Sequence, residues 1–144
     1  MKKVFLCFLG ALLLLIALLS FLSPNSRKKQ LTLMQPDTEI MQIDLGYSPW
    51  RENKIIYTLE PAEYDGFLNE LHSIRPRKNM SPKGEYGTLY VQITYSDGAV
   101  EILGSLSCFY FTEDTKLHDG WYYLLEDELY SLFSKYVNLS RYSI

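Results

Sequence analysis

The sequence predicts an α+β fold: an antiparallel sheet containing a three-stranded meander, two helices packed on one of its faces, and an N-terminal transmembrane helix ahead of them. Three observations carry this. Residues 4–22 (VFLCFLGALLLLIALLSFL) hold no charge. Tyr64, Phe67, Leu68, Leu71 and Ile74 recur at the spacing that builds one apolar helix face. Residues 86–95 alternate without a break, with Leu89, Val91, Ile93 and Tyr95 on one side and Tyr86, Thr88, Tyr90, Gln92 and Thr94 on the other.

The apolar segment comes first. Nineteen helical residues span about 28 Å, close to the ~30 Å of bilayer hydrocarbon. Lys2 and Lys3 precede it like the basic start of an export signal. Cleavage sites are poor, because a cut after Ser23 puts Phe21 three residues upstream and Pro24 just beyond. A cut after Ser20 leaves Leu18 at that upstream position, and Cys7 lacks the apolar run that should precede a lipobox cysteine. A retained anchor is expected; cleavage would leave a secreted protein instead. Arg27-Lys28-Lys29 balances the charge at the N-terminus, so the positive-inside rule barely decides the orientation. A short basic N-terminus followed at once by a long apolar run inserts N-in. The expectation is a single-pass plasma-membrane protein with its domain outside the cytoplasm.

Residues 1–23 are thus read as anchor, 24–37 as a juxtamembrane linker and 38–144 as one domain. A first strand is expected over residues 39–47 and a second over 54–59 (KIIYTL), separated by a turn around Ser48-Pro49. Pro61 suits the first turn of a helix that carries the stripe from Tyr64 to Ile74, and Pro76 ends it. Residues 75–85 (RPRKNMSPKGE) read as a polar loop. Ser96-Asp97-Gly98 marks a tight turn between the alternating strand and Val100 and Ile102 on its return. Gly104-Ser105 turns the chain again into residues 106–112. Residues 113–120 form a charged loop, and Trp121-Tyr122-Tyr123 offers an edge strand. The last helix, about residues 125–136, aligns Leu125, Leu129, Leu132, Phe133 and Tyr136, with Glu126, Asp127 and Glu128 at its dipole-positive end. The order is β-β-α-β-β-β-α.

Composition narrows the chemistry. The net charge is −3, which argues against nucleic acid as a partner, since phosphate neutralisation needs a dense basic face. Two cysteines, one inside the apolar segment, exclude a disulfide framework, and with two histidines they make a tetrahedral zinc site implausible. Cys108 sits in an apolar run and is expected to be an inert core thiol. There is no phosphate loop, no nucleophile elbow and no zincin motif. His72 reads as a helix-boundary residue. His118 beside Asp119 fits a turn better than a base with its orienter, and Glu113, Asp114 and Asp119 lack calcium-loop spacing. No catalytic, cofactor-binding or metal-binding residue is assigned, and no enzyme is expected.

Two surfaces remain. One is the polar-aromatic strand face of Tyr86, Thr88, Tyr90, Gln92 and Thr94, which suits protein or glycan contact if both helices lie on the other side. The other is the basic loop of Arg75, Arg77, Lys78 and Lys83, which suits anionic head groups or a cell-envelope polymer. The passage through residues 55–74, the meander from Leu89 to Gly98, and Trp121-Tyr122-Tyr123 with its helix resemble small membrane-anchored or lipoprotein-type domains of unknown function from Gram-positive bacteria. The resemblance covers roughly residues 38–137 and implies an extracytoplasmic setting, but assigns no site residue. The expected function is a non-catalytic, membrane-anchored binding or accessory domain. The alternatives are a small cell-envelope enzyme or a structural component of a membrane complex.

Overall fold

The first strand, β1 (Ile40–Tyr47), lies in the middle of the fold, not at its edge, because it pairs on both sides. The computed structural model describes residues 31–49, 52–78, 85–112, 116–117 and 122–142. The apolar segment 4–22 lies outside them, and among the described residues no helix is long and apolar enough to cross a membrane.

After β1 the chain forms β2 (Lys54–Thr58), a 3-10 turn (Pro61–Glu63) and α1 (Tyr64–Ser73). Glu63 carboxylate accepts the Glu60 N–H at 2.8 Å, which satisfies one of the donors a helix start leaves open. Then follow β3 (Arg77–Lys78), the meander β4 (Leu89–Tyr95), β5 (Val100–Gly104) and β6 (Cys108–Phe111), two short strands β7 (Lys116–Leu117) and β8 (Tyr122–Tyr123), α2 (Glu126–Phe133) and a 3-10 turn (Leu139–Tyr142). Among the described residues, six strands form an antiparallel sheet in the order β2-β1-β4-β5-β6-β7, and β3 pairs with β8 as a separate ribbon. The fold is therefore α+β, with the expected meander and two helices.

Two elements differ from the sequence expectation. Residues 77–78 and 116–117, both read as loop, are strands, and the expected strand at Tyr122–Tyr123 pairs with the first of them. The edge of the meander is already taken by β7 on β6, so the tyrosine pair finds its partner elsewhere.

One face of the sheet builds the main core. Ile43, Leu45, Leu89, Val91, Ile93, Tyr95, Leu103, Cys108 and Tyr110 meet Phe67 and Leu71 of α1 and Leu129, Leu132 and Phe133 of α2. The helix stripes face this core because their apolar residues recur on one side. Fully enclosing a side chain such as Phe67 or Phe133 contributes about 1.5–3 kcal/mol. Leu31 and Leu33, inside the stretch read as linker, belong to the same core at 7% and 6% exposure. The packed body thus includes a short extended strap upstream of β1.

Candidate functional site

The second face of the sheet carries its own small core. Tyr90, Ile102 and Phe109 are buried together, with Tyr86, Val100 and Phe111 packed around them. The register explains the grouping, since Thr94 faces Val100, Gln92 faces Ile102 and Tyr90 faces Gly104 across β4 and β5. Phe109 in turn lies opposite Ile102, and Phe111 opposite Val100. Tyr86 and Tyr90 have ring centroids 5.3 Å apart, Tyr86 meets Phe109 edge-on at 5.3 Å, and Phe109 stacks on Phe111 at 6.1 Å. Such pairs add to the burial of their area.

Two glycines make this array. Gly46 on β1 lies opposite Tyr90, and a Cβ there would sit 2.0–2.5 Å from atoms of the Tyr90 ring. The ring therefore lies flat across the sheet only because residue 46 has no side chain. Gly87 takes φ 92°, and its Cα approaches Ser105 and Leu106 so closely that a Cβ would fall 2.3 Å from Ser105 Oγ. That approach is fixed by the Leu106 N–H donating to the Tyr86 carbonyl at 3.0 Å and the Ser105 N–H donating to the Leu89 carbonyl at 3.0 Å. It sets the Tyr86 ring over Phe109.

The strand face read from the sequence is therefore divided. Tyr90 is 2% exposed, not half open, because Gly46 lets its ring lie down among Phe109 and Ile102. Tyr86, Thr88, Gln92 and Thr94 are half-buried. Leu106, at the Tyr86 end, is 44% exposed. Toward β2 the same face turns polar, where Asp44, itself buried, accepts bonds from Gln42 Nε2 at 2.7 Å and Thr58 Oγ1 at 2.6 Å. Burial, aided by Tyr86 and Asp44, pushes the Tyr90 hydroxyl up to about 12. Burial also raises Tyr86.

Of the basic loop, Arg75, Arg77 and Lys78 are exposed, and Lys83 lies outside the described residues. Arg77 is in register with Tyr123 and Lys78 with Tyr122. The ion pairs among the described residues are Lys54 with Glu52 and Lys135 with Glu70, and none involves Arg75, Arg77 or Lys78.

The strap meets the sheet at Glu101. This carboxylate is 3% exposed on the main-core side of β5, where Oε2 accepts the Tyr95 hydroxyl at 2.6 Å and the Met34 N–H at 3.0 Å. Burial raises its carboxyl above the ordinary range, and the two hydrogen bonds oppose that rise. Tyr95 is raised in turn, by burial first and by Glu101 second. Gln35 Nε2 donates to the Tyr110 hydroxyl and, at 3.0 Å, to Asp97 Oδ2. Asp97 is held below the usual carboxylate range by the Ala99 N–H and Gln35. A cavity of about 80 Å³ beside this latch is lined by Leu31, Met34, Pro76, Glu101, Cys108 and Tyr122, among others.

Cys108 is buried, as its apolar run implied, and His72 is half-buried on α1. His118, Asp119, Glu113 and Asp114 lie outside the described residues. Among the described residues no three His, Cys, Asp or Glu side chains are grouped to hold a metal. Sequence reasoning missed Phe109, Phe111, Glu101 and the strap. A continuous apolar run through residues 108–111 was the available signal, because a strand buried on both faces loses its alternation. No family model, curated protein or solved structure matches this chain.

Proposed function

We propose that this chain is a non-catalytic binding domain, anchored by residues 4–22 in the plasma membrane with its body outside the cytoplasm, and that it recognises a partner protein through the aromatic end of the second sheet face. The observation that carries the reading is the pair of half-buried rings, Tyr86 and Phe111, held in place over the buried Tyr90 and Phe109, with Leu106 protruding beside them. The rings are already fixed by Gly46 and Gly87, so a partner does not have to order them. The array and its polar extension (Gln42, Thr58, Gln92 and Thr94) carry no Lys or Arg, which disfavours an anionic polymer there. Aromatic and aliphatic groups with neutral polar neighbours are the composition of a protein interface core. The setting outside the cytoplasm rests on the short basic start, Lys2 and Lys3, directly ahead of the long apolar run.

The test places a photo-crosslinking residue at Leu106 or Phe111 in native membranes, with exposed Asp65 on α1 as control. A discrete adduct from the first two sites, lost with Tyr86→Ala, supports the reading. Adducts of equal yield from Asp65, or none from Leu106 and Phe111, would overturn it. A reporter fused after Ile144 should read as external; a cytoplasmic signal refutes the orientation.

A further inference from the structure

We propose that the β3–β8 ribbon, with Arg75, Arg77 and Lys78, rests on the anionic lipid head groups of the membrane that holds the chain, and so fixes which edge of the domain faces the bilayer. The inference rests on residues 4–22 being the anchor. Three observations point to it.

The first is position. Leu31, Thr32 and Met34 of the strap share one cavity wall with Pro76 and Tyr122. Pro76 stands between Arg75 and Arg77, and Tyr122 is the register partner of Lys78. The chain therefore enters the folded body beside the ribbon. Eight residues lie between Leu22 and Leu31, nine steps along the chain and a reach of at most about 32 Å fully extended. The latch on Glu101 prevents that entry point from swinging away.

The second is charge. Residues 31–144 hold nine Lys and Arg against seventeen Asp and Glu. Three of the nine sit at the ribbon, exposed and without an ion-pair partner among the described residues. An anionic surface repels most of such a body and attracts this edge, so the field orients the domain. The third is chemistry. Tyr122 and Tyr123 are half-buried in the same ribbon and supply the aromatic groups that favour the membrane–water boundary. An anionic envelope polymer offers the same charge, but nothing holds it at the strap.

The full chain in nanodiscs tests this by lysine acetylation with a water-soluble reagent, read residue by residue by mass spectrometry. Lys54 is the internal control: it lies on β2, four strand spacings or about 19 Å from β6, whose Cys108 lines the same cavity as Pro76 and Tyr122, and so beyond the ~8 Å screening length. In discs containing anionic lipid, Lys78 should react about fivefold more slowly than in zwitterionic discs, the occupancy change that one basic side chain's attraction to such a surface gives. Lys54 should be unchanged. Arg75→Gln with Arg77→Gln, or about 0.5 M salt, should restore the reactivity of Lys78. Equal Lys78 rates in both lipids, with the chain still co-purifying with discs, would overturn the proposal. Protection of Lys78 by added anionic wall polymer but not by lipid would overturn it in favour of the polymer. A chain that fails to stay with the discs would instead refute the anchor.

Discussion

Replacing Tyr90 by Ala should destabilise the domain by about 3–4 kcal/mol, within the range for removal of an enclosed aromatic ring. The ring is 2% exposed, lies over Gly46 and contacts the Ile102–Phe109 cluster, so its removal leaves a cavity that the half-buried Tyr86 only partly fills. Gly46→Ala alone should cost about 1–3 kcal/mol, because its Cβ would fall 2.0 Å from the ring and force it up. The two changes must couple. Once Tyr90 is Ala, the Cβ at residue 46 has room, and the cost of Gly46→Ala should disappear or turn into the small gain expected of Ala over Gly. Urea unfolding of the four proteins in detergent, followed by near-ultraviolet circular dichroism, gives the cycle. A Tyr90→Ala cost below about 1 kcal/mol would refute the second core. So would a Gly46→Ala cost that is the same with and without the ring.

Tyr90→Phe should change stability little at pH 7 and resist alkali better than the parent. The hydroxyl is raised to about 12, so its contribution is full below the ordinary value of 10 and lost as the pH rises through 12. Melting temperatures between pH 8 and 12 check this, and parallel curves would refute it. Glu101→Gln should cost about 1–3 kcal/mol at pH 7: its amide oxygen can accept both the Tyr95 and Met34 bonds, but its buried NH2 brings two donors that need acceptors. The raised carboxyl stabilises the parent below its unfolded value and loses that effect as the pH rises, so the deficit of Gln should grow on acidification; a deficit flat with pH would refute this. Cys108 should react slowly with a thiol reagent until the domain unfolds, and fast labelling of the native protein would contradict its burial.

The meander and both helices were legible because their signals are local. Leu89, Val91, Ile93 and Tyr95 alternate, and all four are buried in the main core. Phe67, Leu71 and Ile74 recur at helical spacing and meet the same core. The return strand was harder. Val100 and Ile102, the residues that marked it, serve the second face, and Glu101 and Leu103 serve the first. The turn decides this: Tyr95 N–H bonds to the Ala99 carbonyl, which sets Ile93 opposite Glu101. Cross-strand register overrode the ordinary preference for keeping a carboxylate in water. The tyrosine face misled for a related reason. Whether Tyr90 stands up or lies down depends on Gly46, 44 positions away, and no window of local sequence contains both. Leu31-Thr32-Leu33 is too short for any periodicity, and the basic cluster before it dominated the reading of that stretch.

Glu101 is the residue that ties these levels together. Burying a carboxylate without a cation is costly, and an apolar residue at position 101 would pack the core more cheaply. The Tyr95 hydroxyl alone does not require the acid, since Phe at 95 would remove that donor. The Met34 amide is different, because a backbone N–H stays whatever residue occupies position 34. Wherever the strap docks on this face, the sheet must present an acceptor to it, and Glu101 is the side chain that does so. Without an acceptor, the strap either leaves that amide unsatisfied, at about 1–3 kcal/mol, or lifts off. Lifting off would expose Leu31 and Leu33 and part the strap from the cavity wall it shares with Pro76 and Tyr122. The cost of one buried carboxylate thus holds the strap against the sheet.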